Sequence, residues 1–199
     1  MRRGLTLVEL LVVMACLAIL AGLLLLVISS VKANAYQTVC VNNLKQIGLA
    51  ITLYRDDWDV YVPGHVGFQP WMTVNETDSL LDAYLANDTV RHCPGRDTDV
   101  GRYCINMWQG MTENSPQGRP EASVPNPSKT LIVWEHRIAH WGCSTGQGGG
   151  NAIDPDPDAG INHWDSSHHG GFNALWCDGH VKRMRYAQLR RRFFTIEED

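Results

Sequence analysis

A chain of 199 residues, 44% of them hydrophobic, is long enough for one compact domain with a real core in addition to a membrane helix. Its 17 Lys and Arg stand against 21 Asp and Glu, for a formal net charge of −4. That balance does not suggest a nucleic-acid binder.

At the amino terminus, Arg2-Arg3-Gly4 precedes Leu5-Thr6-Leu7-Val8-Glu9, and Leu10 to Ile28 then runs without a charge. A helix of that length, at about 1.5 Å per residue, nearly spans the ~30 Å hydrocarbon core of a bilayer. Glu9 at its head is costly. A mid-span acid is unfavourable by roughly 2.5–3.5 kcal/mol, somewhat less near the interface, so the carboxylate needs a partner. Arg2 and Arg3, with no further Lys or Arg until Lys32, place the amino end in the cytoplasm and the bulk of the chain outside. A secretory signal would have a shorter apolar core and a small-residue cleavage site, for which Ser29-Ser30-Val31-Lys32-Ala33 is poor. A plain uncleaved anchor leaves Glu9 and Gly4-Leu5-Thr6-Leu7 unexplained.

The run resembles the class III signal of type IV prepilins and type II secretion pseudopilins: a short basic leader, a Gly, an aromatic or apolar residue, Thr-Leu-x-Glu and a long apolar helix. Leu5 stands where Phe is commoner. The resemblance implies cleavage between Gly4 and Leu5 by a prepilin peptidase, N-methylation of Leu5, and retention of the helix with Glu9 as its fifth residue. It also implies that Glu9 pairs with the α-amino group of Leu5 on a neighbouring subunit, which offsets the desolvation of both and sets axial register. Loss of Arg2 and Arg3 would leave 15 Lys and Arg against 21 acids, a charge of −6.

Beyond the span, Tyr36, Cys40, Leu44, Ile47, Ile51 and Tyr54 recur at steps of three or four, with Asn42, Asn43, Lys45 and Gln46 between them. This predicts one amphipathic helix continuing to about residue 55. The segment Cys40-x-Asn42-Asn43-Leu44-Lys45-Gln46-Ile47-Gly48 resembles the post-membrane helix of a large pseudopilin-like subfamily, as do Tyr54-Arg55-Asp56-Asp57 and Tyr61-Val62-Pro63 after it. Pro63-Gly64 ends regular structure.

Next, Leu80, Leu81, Tyr84 and Leu85 mark a turn or two of helix, and Tyr103 to Trp108 alternates like a short strand. Pro116, Pro120, Pro125 and Pro127 mark an extended loop. Leu131-Ile132-Val133-Trp134-Glu135 is the best strand candidate. Residues 142–160 are rich in Gly, Asp and Pro and read as a long surface loop. Phe172 to Cys177 leads to Asp178-Gly179, a tight turn, from which His180 to Met184 pairs back as a hairpin.

The stretch from His168 to Val181 resembles the carboxy-terminal signature of a His, nine residues and Asp-Gly, associated with prepilin-type processing. His168, Asp178 and Gly179 fall in register, while His169 and Cys177 depart from the more usual small or polar residues. Turn formation explains Asp178-Gly179 without any catalysis.

Cys16 lies in the span, where a thiol behaves as a small apolar group. The other five cysteines would face an oxidising space and cannot all pair within one chain. Cys93 with Cys104 is the expected bridge, since a turn of Gly-Arg-Asp-Thr-Asp between them suits a hairpin; Cys143 with Cys177 is the second choice, and Cys40 is left free. His163, His168, His169, His180, Cys143 and Cys177 fall within forty residues but without zinc-ligand spacing. Asp154, Asp156 and Asp158 resemble the start of a calcium loop, interrupted by Pro155 and Pro157 and lacking the distal Glu, so no metal or cofactor is assigned beyond a weak calcium candidate. Asp165-Ser166-Ser167-His168 lacks a nucleophile elbow and is not read as catalytic. The cations Lys182, Arg183, Arg185 and Arg190 to Arg192 read as a solvated terminal helix face.

These readings combine into a pilin-like α+β chain, a long amino-terminal helix packed on a small antiparallel sheet, with no enzymatic activity. Residues 1–4 form the leader, 5–30 the transmembrane and assembly helix, 31–55 its amphipathic continuation, and 56–199 a globular periplasmic head that contains the carboxy-terminal 168–179 segment. The expected partners are like subunits or other pseudopilins, the prepilin peptidase and methyltransferase, the inner membrane and a secretion or pilus assembly platform, without nucleic acid. A different class of function, a membrane-tethered periplasmic module binding a glycan or peptide, would use Trp71, Trp108, Trp134, Trp141 and the Gly-rich loop.

Overall fold

The structure is a computed structural model describing residues 6–63, 65–66, 69–70, 79–94, 102–107, 115–136, 143–144, 168, 170–189, 191–193 and 196. Helix α1 spans Leu7–Trp58. The chain divides into two compact units, Met1–Ala35 and Tyr36–Asp199.

In the first unit, the described side chains from Leu7 to Ile28 are all exposed. This is the one candidate membrane span among the described residues, and none of its most apolar window is buried. An all-round apolar helix is built to meet lipid or other helices rather than water.

In the second unit, one face of α1 enters the core. Cys40, Leu44, Ile47, Ala50, Ile51 and Tyr54 are buried, at the three- and four-residue steps expected of one helix stripe. Asn43 departs from expectation, because it too is buried. Its side-chain amide donates to the His92 carbonyl at 2.7 Å, which makes the burial tolerable. The helix ends one turn later than the pattern suggests, at Trp58, where Asp59 adopts a left-handed φ of 57°. Asp is among the few non-glycine residues for which that conformation is accessible.

The strands are β1 (His65–Val66), β2 (Gln69–Pro70), β3 (Arg102–Met107), β4 (Leu131–His136), β5 (Cys143–Ser144), β6 (Phe172–Trp176) and β7 (Val181–Met184). β1 and β2 form a separate two-stranded ribbon. The main sheet has the order β5-β3-β4-β6-β7. Its four longer strands are antiparallel neighbours, as expected, whereas the short edge strand β5 runs parallel to β3. The described part of the 142–160 loop thus includes a sheet edge.

Strand alternation decides which residues meet the helix. Tyr103 and Ile105 of β3, Val133 of β4 and Leu175 of β6 share a cluster with the α1 stripe, while Phe172, Ala174 and Trp176 join a second cluster with Trp134 and Met184. A register shift between Leu131 and Val133 lets Ile132 and Val133 both enter the helix-side cluster. Contact between α1 and the sheet is close at Gly48, where an added Cβ would lie 2.9 Å from Leu175 Cδ1. Leu81, buried, precedes the 3-10 turn Asp82–Tyr84, so the expected helical segment is a single short turn.

The carboxy-terminal hairpin forms as expected, with Gly179 at φ 87° and its N–H donating to the Trp176 carbonyl at 2.9 Å. Its described cations do not share one terminal helix face. Lys182 and Arg183 lie on β7, followed by 3-10 turns at Tyr186–Gln188 and Arg191–Phe193, and Phe193 packs edge-on to Trp176 at 5.1 Å.

Candidate functional site

At the amino end, Gly4 and Leu5 lie outside the described residues. Thr6 is the residue preceding the first helical position of α1. Its hydroxyl oxygen accepts the Glu9 N–H at 3.3 Å, and Glu9 Oε2 accepts the Thr6 backbone N–H and hydroxyl, each at 2.8 Å. This is a capping box, in which Thr and a Glu three residues on satisfy each other's orphan donors. The partner expected for Glu9 is intermolecular; this local one was not foreseen, though the Thr6-x-x-Glu9 spacing carries its signal. Oε1 of Glu9 has no partner among the described residues.

His168 and the Asp178-Gly179 pair, expected to belong to one motif, do different things. Asp178 and Gly179 shape the exposed turn. Asp178 Oδ1 lies 2.6 Å from His180 Nδ1 and accepts the His180 backbone N–H at 3.2 Å. His168 instead is buried between α1 and the sheet, with 1% exposure, and so is Glu135. Glu135 follows Val133 by two along β4 and therefore points to the helix side. The same alternation aims Asn173 of β6 at it, and Asn173 donates its backbone N–H to Oε2 at 2.7 Å and its side-chain amide to Oε1 at 3.0 Å. His168 Nε2 lies 3.2 Å from Glu135 Oε1 and 3.2 Å from Cys93 Sγ. Arg183 donates to the His168 carbonyl, holding this residue's backbone against β7.

Cys93 is bonded to Cys40, with Cα atoms 5.3 Å apart and a sequence separation of 53. The expected Cys93–Cys104 bridge is therefore corrected, as is the expectation that Cys40 stays free. The α1 stripe carries Cys40 inward, and the Asn43 bond to His92 brings the neighbouring Cys93 against it. The side chain of Cys104 lies outside the described residues. The second choice is corrected too: Cys177 is a free, buried thiol, pushed up in pKa by burial first and by the nearby Asp178 charge.

Cys40, Cys93, Glu135 and His168 bring their sulfur, oxygen and nitrogen donor atoms within 4.8 Å of one another, all buried. Of the six His and Cys weighed as zinc ligands from sequence, only His168 is in this group. His180 is engaged with Asp178 and Cys177 is buried elsewhere in the core, while His163, His169 and the side chain of Cys143 lie outside the described residues. So do Asp154, Asp156 and Asp158, and Asp165, Ser166 and Ser167. Trp134 is buried in the second core cluster and does not line an open surface; Trp71, Trp108 and Trp141 lie outside the described residues.

A second polar group stabilises the segment leading to Cys93. Arg91, buried, pairs with Asp82 and with Asp88 at 3.3 Å. Burial pushes the Asp82 carboxyl up, but the Ser79 hydroxyl and N–H together with Arg91 outweigh it and hold the pKa below the usual value.

Residues 1–25 match the family model described as the prokaryotic N-terminal methylation motif. Comparisons with curated proteins and with solved structures found no match. The matched motif supports a prepilin-type protein, and the single apolar amino-terminal helix fits an inner-membrane anchor.

Proposed function

We propose that the chain is a structural subunit of a type II secretion or type IV pilus-like filament, cut between Gly4 and Leu5, methylated at Leu5 and assembled through its amino-terminal helix. The observation that carries this reading is the methylation motif at residues 1–25 continuing into a helix whose described apolar side chains from Leu7 to Ile28 are exposed. Such a surface is stable in lipid, and after extraction it is stable only against other helices of its kind. Head-to-tail contacts that do not close generate a filament.

Glu9 takes two roles in this reading. Oε2 caps the helix within the subunit through Thr6. Oε1 remains for the α-amino group of Leu5 on a neighbour, which offsets the cost of the acid in an apolar bundle and selects one axial register. The head lies on the periplasmic side, given the Arg2 and Arg3 charges at the amino end. Its part is to present surface on the filament, and no catalytic step is assigned to it.

The test is incorporation of tagged subunits into filaments sheared from cells that also express the wild-type chain. Gly4→Glu should block maturation, and Glu9→Val should mature but be lost from the filament fraction. A tethered binding module would tolerate both changes, so unaltered behaviour of both variants would overturn the assembly reading.

A further inference from the structure

We infer that Cys40, Cys93, Glu135 and His168 form a closed, tetrahedral zinc site when the two cysteines are in the thiol state. Zinc takes sulfur at about 2.3 Å and imidazole nitrogen or carboxylate oxygen at about 2.0–2.2 Å, which gives a tetrahedron with edges of about 3.3–3.8 Å. Three of the six edges are close to that size already. Cys93 Sγ to His168 Nε2 is 3.2 Å, His168 Nε2 to Glu135 Oε1 is 3.2 Å and Cys93 Sγ to Glu135 Oε1 is 4.0 Å. One imidazole nitrogen thus faces a sulfur and a carboxylate oxygen at equal distance, although a single N–H can be aimed well at only one of them. A lone pair directed at a cation between them suits both neighbours.

The donor chemistry favours the same assignment. Glu135, with 1% exposure, already holds a carboxyl oxygen beside His168 Nε2 and Cys93 Sγ. Two thiolates and an imidazole beside it make a soft donor set that suits zinc rather than calcium or magnesium. Asn173 supplies the outer shell, orienting Glu135 through its backbone N–H and its side-chain amide. All four ligands come from the protein, so the site is structural. It joins α1 to β4, to the segment before β6 and to the chain at Cys93. Loading exchanges two thiol protons for one Zn²⁺ and involves no electron transfer. Disulfide and metal are alternative uses of the same two sulfurs, because the bonded pair offers no thiolate.

The experiment is metal analysis and cobalt spectroscopy on the full chain in detergent, purified with a thiol reductant and titrated with Zn²⁺ or Co²⁺. The reduced protein should bind one zinc per chain, release two protons per metal and give the thiolate-to-cobalt charge-transfer and tetrahedral d–d bands. Glu135→Gln and His168→Gln should each weaken zinc binding by at least about 100-fold, and Asn173→Ala, which leaves every ligand in place, by about 10–100-fold. Circular dichroism identifies any variant that fails to fold; should all three fail, protection of Cys40 and Cys93 from alkylation by added zinc in the wild-type chain decides the question. Absence of bound zinc in the reduced chain, equally tight binding by the oxidised chain, or alkylation of both cysteines unchanged by zinc would overturn the site.

Discussion

His168 Nε2 and Glu135 Oε1 lie 3.2 Å apart in the interior, where α1 meets the sheet. His168 is thereby placed beside the cysteine pair that links α1 at Cys40 to Cys93. It is an interior residue, whereas Asp178-Gly179 forms an exposed turn, so the two do not share a site.

Peptide mapping of the oxidised protein without reduction should recover a linked pair containing Cys40 and Cys93. Because the bridge closes a loop of 53 residues, Cys93→Ser should cost the oxidised protein about 4 kcal/mol in the chain-entropy model, read as a shift in denaturation midpoint. A Cys93–Cys104 linkage would contradict the arrangement of α1 against Arg91 to Pro94.

The Asp82–Arg91 pair predicts an acid-sensitive step. The folded-state pKa of Asp82 lies below its unfolded value, so its contribution is present above the unfolded value of about 3.9 and is lost as pH falls through the lower, folded value. Thermal midpoints measured from about pH 5 downward should fall, and Asp82→Asn should flatten part of that fall. At neutral pH the same substitution should destabilise by roughly 2–3 kcal/mol, since it leaves buried Arg91 with one fewer charged partner.

Cys177 should be inert in the folded protein. It is buried, and its pKa is raised, so almost no thiolate is present near neutrality. Alkylation with iodoacetamide should label Cys177 only when denaturant opens the core, at the same midpoint as global unfolding. Labelling of the native protein at Cys177 would contradict the packing beneath the hairpin.

Gly48→Val should destabilise by about 1–3 kcal/mol, because the new Cβ would lie 2.9 Å from Leu175 Cδ1 in a filled core. Leu175→Ala creates a cavity of its own, but the double variant should be more stable than the sum of the two single effects implies. A cycle with no coupling would place α1 farther from β6 than the structure has it.

Local patterns made much of this fold readable. The stripe from Cys40 to Tyr54 had helical period, Leu131 to Glu135 was apolar and β-branched, and Asp178-Gly179 announced its hairpin. What escaped was long-range. Nothing local pairs Cys40 with Cys93, and the nearer Cys104 looked a better partner because the Gly-Arg-Asp-Thr-Asp turn after Cys93 suits a hairpin. In the folded chain that choice is decided by the helix stripe and by the Asn43 bond to His92, which already bring Cys40 and Cys93 together. Glu135 left a faint trace, an acid two residues after Val133 on an apolar strand and hence on the buried face. Its partners, Asn173 and His168, come from distant sequence and become neighbours only when β4 pairs with β6.

Maturation along the prepilin route is read by intact-mass and amino-terminal analysis of membrane-extracted protein, with and without its prepilin peptidase. The chain should begin at methylated Leu5 when the peptidase is present and at Met1 when it is absent. A chain that begins at Met1 in both, or one cut near Ala33, would contradict it.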